Sequence, residues 1–276
     1  VGSEMCIRDR LSQENAKNVL NKITVTDDYN NLQDCDLIIE AVFEDRDLKG
    51  KVTAQAEKIM DRNGIFASNT STLPISGLAE KSIRPEKFIG IHFFSPVHKM
   101  KLVEIIKGEK TNDETIAKAF DYVLKIKKIP IVVNDSRGFY TSRVFSTYTN
   151  EGLALLAEGN HPQEIETAGK KAGMPVGPLA VIDEINLGLV SQIRKQTRKD
   201  LATEGKELPL IPADQVIDLM TEKINRLGRA QGGGFYEYPE NGKKYLWPEL
   251  QTHFPIAKDP LTQDQMIERI LFIQAI

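Results

Sequence analysis

In the first half of the chain, apolar positions arrive in short β-branched runs, and between them they recur every third or fourth residue. Runs of the first kind mark strands buried on both faces; the spacing of the second kind marks amphipathic helices. Residues 36–42 therefore read as a strand, residues 45–60 as a helix stopped near Asn63-Gly64, and residues 65–68 as a second strand. Residues 73–81 form a short predicted helix opened by Pro74. Residues 87–94 are a third strand, ended by Ser95-Pro96, and residues 102–106 a fourth. A helix over 113–127 and a fifth strand over 130–133 complete the alternation. Strands divided by helices imply βαβ units and a largely parallel sheet.

After Asn134 the pattern changes. Residues 141–156, 162–172, 177–194 and 212–226 all read as helices divided by Gly and Pro, and a further amphipathic helix begins near Asp264. The chain is thus expected to hold an α/β half and then an all-helical half, with the boundary near 135–138. The first ten residues have neither periodicity nor the apolar core of a signal peptide, so residues 1–10 are read as a non-native scar. A glycine cluster, Gly232-Gly233-Gly234, follows no strand and reads as a flexible turn. No GxGxxG turn follows a strand either, although such a turn opens a dinucleotide-binding fold and carries the pyrophosphate.

Composition narrows the class. With 276 residues, 41% hydrophobic and 27% charged, the chain is an ordinary globular protein large enough for two cores. A net charge of -3 gives no general attraction for nucleic acid or anionic lipid. The apolar runs are strand-sized, so no transmembrane segment is expected. Cys6 and Cys35 lack CxxC spacing and fit a reducing compartment, and 4 scattered histidines do not suggest a metal centre.

Three stretches could carry chemistry. His92 lies near the end of the third strand and Glu104 within the fourth, so a strand–loop–strand unit could set them side by side. A carboxylate there would fix the imidazole tautomer and stabilise its protonated form. On spacing alone, a packed core histidine beside a surface glutamate is the plainer reading. The second stretch, residues 66–72 (FASNTST), follows a strand and offers small hydroxyl and amide groups to a ligand. It also reads as a simple turn and helix cap. The third is residues 40–45 (EAVFED), with Lys49 one turn further on. Its acids could touch a ribose or nicotinamide, or could only favour a helix N-terminus.

Taken together, DLIIEAVFED, IFASNTSTLPIS, RPEKFIGIHFFSPVHKMKLVEII, PIVVNDSRGFYTSR, GMPVGPLAVIDE and GRAQGGGFYEY resemble the 3-hydroxyacyl-CoA dehydrogenases of fatty-acid β-oxidation. Order and spacing hold from about Leu32 to Tyr238, and the chain is most similar to the dehydrogenase part of the large multifunctional proteins. The resemblance implies an incomplete Rossmann-like parallel sheet over 11–136, lacking the first strand and glycine turn. A helical C-terminal domain over 137–240 and the start of a second helical domain over 241–276 would follow. It implies His92 as catalytic base oriented by Glu104, with Ser71 and Ser142 on the substrate. Glu44, Lys49 and Ser95 would lie on the cofactor, NAD. Many single-function members carry Asn at the positions of Ser95 and Ser142, and many members carry Lys at that of Ala230. The implied reaction is oxidation of 3-hydroxyacyl-CoA. The implied partners are acyl-CoA, a second copy or a thiolase-containing complex, and the location is cytoplasmic, or the mitochondrial matrix in a eukaryote. A non-catalytic acyl-CoA-binding or assembly module is the rival expectation.

Overall fold

The computed structural model describes residues 12–203 and 205–275. The stretch read as a scar lies outside them. The chain divides into two compact units, Val1–Arg143 and Val144–Ile276.

In the first unit, helix α1 (Gln13–Leu20) precedes an alternation of β1 (Leu37–Glu40), α2 (Arg46–Ala56), β2 (Ile65–Ser68) and α3 (Ile75–Ala79). Then come β3 (Phe88–Phe93), β4 (Leu102–Lys107), α4 (Asp113–Lys125) and β5 (Ile129–Asn134). The strands form one five-stranded sheet in the order β1-β2-β3-β4-β5. All neighbours are parallel except β3 and β4. The short loop between these two cannot make the crossover that a parallel return needs, so the chain turns back antiparallel. The consequence for the site is direct, because His92 and Glu104 become register partners across the β3–β4 ladder.

Both faces of the sheet are covered at β2, β3 and β4, whereas β5 at the edge leaves Ile129 and Val132 exposed. Ile65, Ala67, Ile89, Ile91, Val103 and Ile105 pack against Ala119 and Val123 of α4. Phe66, Phe88 and Ile106 pack on the other face with Ala56, Ile75 and Leu78. A period-2 alternation within continuous apolar runs is what a sheet buried on both faces requires. Helix starts are capped as their sequences suggest: Asp45 accepts from Leu48 N at 2.7 Å and Asn112 from Thr115 N at 2.8 Å. The helix expected over 45–60 ends at Ala56, and the one expected over 73–81 spans only Ile75–Ala79.

The second unit takes up α5 (Thr141–Ala157) from its fourth residue onward. It continues with α6 (Pro162–Lys171), α7 (Pro178–Ile185), α8 (Leu187–Thr203) and α9 (Pro212–Asp218). A hairpin of β6 (Tyr236–Glu237) and β7 (Tyr245–Leu246) follows, then α10 (Leu250–His253) and α11 (Gln263–Ala275). Leu250, Phe254, Met266 and Ile270 share one apolar cluster with Leu153, Ile165, Leu179 and Val216. The single helix expected across 177–194 is two. Asn186 takes φ 91°, which ends α7, and its side chain accepts from Leu189 N at 3.1 Å to start α8. The helix expected over 212–226 is α-helical only to Asp218 and widens into a π-type turn through Lys223.

The glycine cluster is a shaped turn, not a flexible one. Gly228 N donates to Gly233 O at 2.9 Å and Gly233 N to Gly228 O at 3.1 Å. The turn closes over buried Asp183, whose carboxylate accepts from Phe235 N at 2.8 Å and Tyr236 N at 2.9 Å. A Cβ at Gly234 would lie 2.0 Å from Asp183 Oδ1. Gly234→Ala should therefore displace the carboxylate or the turn, at a cost of about 2–4 kcal/mol. Urea unfolding monitored by Trp247 fluorescence measures this, and a loss under about 0.5 kcal/mol would contradict the packing described.

Candidate active site

His92 is the fifth residue of β3 and is held there by apolar neighbours on both sides. Its ring lies 4.5 Å from that of Phe94 and 6.0 Å from that of Phe139. Nδ1 is 2.8 Å from Glu104 Oε2. Glu104 is fully buried, which contradicts the plainer expectation of a surface glutamate. Its Oε1 accepts from Tyr140 N at 3.2 Å and Thr141 N at 2.8 Å, and Oε2 from Thr141 Oγ1 at 2.7 Å. Burial alone would raise the carboxyl pKa. The hydrogen bonds from His92 and Thr141 outweigh it, and Glu104 is held below the ordinary carboxylate value. An ionised carboxylate only accepts, so Nδ1 carries the hydrogen, and in the neutral imidazole this tautomer leaves the lone pair on Nε2.

A second cluster forms where β1 and β2 end. Lys49, 2% exposed, places Nζ 3.0 and 3.1 Å from the two oxygens of Glu40, 3.2 Å from Val42 O and 3.5 Å from Glu44 Oε2. Glu44 Oε1 accepts from Thr70 Oγ1 at 2.6 Å, Ser71 N at 3.1 Å, and Thr72 N and Oγ1 at 3.0 Å. Burial tends to raise the Glu44 pKa, but Thr70, the Lys49 charge and Thr72 together lower it. Asn69 Oδ1 accepts from Phe93 N at 2.9 Å and so ties the same loop to the strand of His92.

Glu44 and Lys49 are thus brought together, as are His92 and Glu104. Ser71 is exposed on the 69–72 loop and Ser95 is exposed in the loop after β3. Ser142 lies half-buried in the first turn of α5, one residue beyond Thr141. Thr141, Ser68 and Glu40 also join these networks. For Thr141 the only sequence signal was its place in GFYTSR, and nothing local marked its hydroxyl as a partner for Glu104. Among the described residues no group of three or more His, Cys, Asp or Glu could hold a metal. A cleft of about 570 Å³ beside Ile211, Pro212 and Asp214 holds none of the predicted site residues.

A parallel-dominated sheet with polar loops at its carboxyl edge and a buried His–Glu pair has the ligand-binding layout of open α/β folds, the class to which nucleotide-dependent dehydrogenases belong. Residues 3–136 match the 3-hydroxyacyl-CoA dehydrogenase NAD binding domain, and residues 138–238 match the C-terminal domain of the same enzymes. The chain belongs to the 3-hydroxyacyl-CoA dehydrogenase family.

Over 227 residues it is 41% identical to a protein named fatty acid oxidation complex subunit alpha from Shewanella baltica strain OS185, covering 82% of this chain and 31% of that one. The same subunit from Shewanella loihica is 40% identical over 232 residues, with 84% and 32% covered. The chain thus spans about a third of the length of these curated relatives. Among solved structures, (S)-3-hydroxybutyryl-CoA dehydrogenase from Ralstonia eutropha superposes with a TM-score of 0.75 at 34% identity, covering 84% of this chain and 81% of that one. A 3-hydroxybutyryl-CoA dehydrogenase from Escherichia coli K12 gives 0.75 at 27% identity, with 88% and 51% covered.

The NAD-binding domain makes NAD the cofactor. Ala41, Phe43 and Glu44 are exposed in the loop after β1 and Ser95 in the loop after β3, and Glu44 accepts from the loop that carries Ser71. A glycine turn for the pyrophosphate is not among the described residues.

Glu104→Gln keeps the shape of the side chain but not its charge, and should cost about 1–3 kcal/mol of stability near neutral pH. Because the folded pKa is depressed, the contribution of Glu104 is present above the ordinary carboxylate range and fades as pH falls through the lowered value. Denaturation of both proteins from pH 7 to pH 3 should show the difference shrinking; a constant difference would refute the assignment.

Proposed function

We propose that this protein oxidises 3-hydroxyacyl-CoA to 3-ketoacyl-CoA with NAD, and that His92 is the base. The observation that carries the reading is the buried Glu104 carboxylate, which fixes Nδ1 as a donor and leaves Nε2 as the acceptor. His92 Nε2 takes the proton of the substrate 3-hydroxyl, and Glu104 stabilises the resulting imidazolium without itself taking the proton. Bound NAD supplies the acceptor for the hydride that leaves C3. The Ser71 hydroxyl, exposed beside this edge, donates a hydrogen bond to the substrate oxygen as its charge develops. Ser142, close to the Thr141 that holds Glu104, is a further candidate for the substrate. Glu44 and Ser95 are the side chains best placed to meet the nicotinamide end of the cofactor. In the reverse direction the imidazolium returns the proton to the 3-keto oxygen.

The relatives named as subunits of a fatty acid oxidation complex support a place in that pathway and in an assembly of that kind; the partner we propose is a thiolase-containing complex or a second copy. No helix among the described residues is long and apolar enough to cross a membrane. A cytoplasmic site of action fits the bacterial relatives and the absence of CxxC spacing. The two domain matches and the named relatives favour this reading over a purely non-catalytic module.

The test is oxidation of NADH by the full-length protein with acetoacetyl-CoA as substrate. Wild type should turn over, and His92→Ala should lower kcat/KM by about 10²–10⁴-fold, the scale of a removed acid–base group. A loss of less than about tenfold would remove His92 from this role.

A further inference from the structure

We infer that Glu40 is a positioning residue for this reaction, acting through Lys49 and Glu44 to hold the 69–72 loop that presents Ser71. The inference rests on the reading of Ser71 as the group that meets the substrate oxygen.

Glu40 is the last residue of β1 and is buried. A carboxylate there costs several kcal/mol in lost hydration unless charge and donors replace the water. Lys49 supplies the charge through both oxygens, at 3.0 and 3.1 Å. Val42 N donates to Oε2 at 3.1 Å, and the hydroxyl of Ser68, the register partner of Glu40 on β2, donates to Oε1. Glu40 therefore locks the end of β1 to the end of β2 and fixes where the ammonium of Lys49 lies.

Lys49 itself has little left to offer a ligand. It is 2% exposed, and its protons face Glu40, Val42 O and Glu44. Its burial argues for a role through Glu44 and against direct contact with cofactor or substrate. Glu44 then does what the loop needs. Its Oε2 faces the Lys49 ammonium at 3.5 Å, while Oε1 gathers Thr70 Oγ1, Ser71 N, Thr72 N and Thr72 Oγ1. Three consecutive loop residues hang on one carboxylate oxygen. With their backbone fixed from below, the Ser71 hydroxyl is left exposed at the sheet edge. Asn69, held by Phe93 N, fixes the near end of the loop relative to the strand of His92. If Glu40 loses its charge, Lys49 is left buried with an incomplete set of acceptors and must move toward Glu44 or out to water. Either movement disturbs the oxygen that the loop hangs on.

The full-length protein is compared as wild type, Glu40→Gln, Ser71→Ala and the double variant, with two readouts. The first is hydrogen exchange of individual amides by NMR, which needs no activity. In Glu40→Gln the Ser71 and Thr72 amides should lose about tenfold or more in protection, while the core amides of Phe66 and Ile91 keep theirs. The second is kinetics. The kcat for acetoacetyl-CoA should fall about tenfold with KM changed less than about threefold, and Ser71→Ala should add little further once Glu40 is replaced. Unchanged protection at Ser71 and Thr72 overturns the inference, and so do effects of the two substitutions that multiply independently. If wild type fails to oxidise NADH, the functional reading falls, and the exchange measurement still decides the relay. Should Glu40→Gln not fold, Ser68→Ala removes one donor to Glu40 and keeps the ion pair. It also loses the Ser68 acceptor for Thr70 N at 3.3 Å, so the readout stays on the Ser71 and Thr72 amides, which Ser68 does not touch. It should lower protection of the same two amides to a smaller degree, and no change there counts equally against the proposal.

Discussion

Glu104 has no access to water, so every lone pair of its carboxylate has to be met from within the protein. It is met from two directions: the imidazole of His92 across the antiparallel ladder, and the Tyr140–Thr141 backbone and the Thr141 hydroxyl from the start of α5. Removing any one of these would leave a charge or a donor unsatisfied in a region of low dielectric, at about 1–3 kcal/mol for each neutral group. The requirement to satisfy one buried charge thus fixes the imidazole tautomer, the β3–β4 register at the site and the position of the Thr141 backbone together. An imidazole held in this way needs little reorganisation to take up a proton, which is the advantage of a preorganised site over a solvated one.

The same device recurs throughout the chain. Asp135 accepts from Ile75 N and Ser76 N at the start of α3, and Glu57 accepts from Ile83 N and from the Ser82 hydroxyl. In the helical unit, Glu166 accepts from Leu179 N, Ala180 N and Tyr236 Oη. Tyr236 in turn gives its backbone N–H to Asp183. Irregular segments that lack a ladder of their own are therefore fastened by carboxylates from distant elements. The arrangement accounts for buried acids that a hydrophobic pattern alone would place at the surface. It also has an electrostatic cost. Burial pushes Asp183 up to about 6 despite the donors around it, whereas Glu44 and Glu104, with denser sets of donors, are lowered. For Asp183 the sign reverses: its folded form favours the proton, so its contribution to stability is greatest at low pH and declines as pH rises toward 6.

At the sheet edge, the division of labour follows from exposure. Lys49 and Glu40 are enclosed and structural in their immediate contacts, Glu44 is 38% exposed and shared between loop and surroundings, and Ser71 and Ser95 face outward. Charged groups that hold position are buried with their partners, and the short hydroxyl side chains of the loops are left accessible.

Hydrophobic periodicity by itself determined the alternation of strands and helices in the first unit and the helical character of the second, and it allowed His92 to approach Glu104. Those features depend on near neighbours in the sequence and on one short loop. Six motifs in register also made the family legible, although no single one of them would have. Tertiary structure alone decided the rest. Whether Glu104 was a surface or a buried residue depended on what covered it, and Thr141, far along the chain, was part of that cover. The break at Asn186 needed the Gln231 contact and a positive φ that no helical periodicity announces. The glycine cluster became a rigid turn only because Asp183 lies beneath Gly234 with no room for a methyl group. In each case the deciding partner is remote in sequence, and only packing brings it within hydrogen-bonding or van der Waals reach.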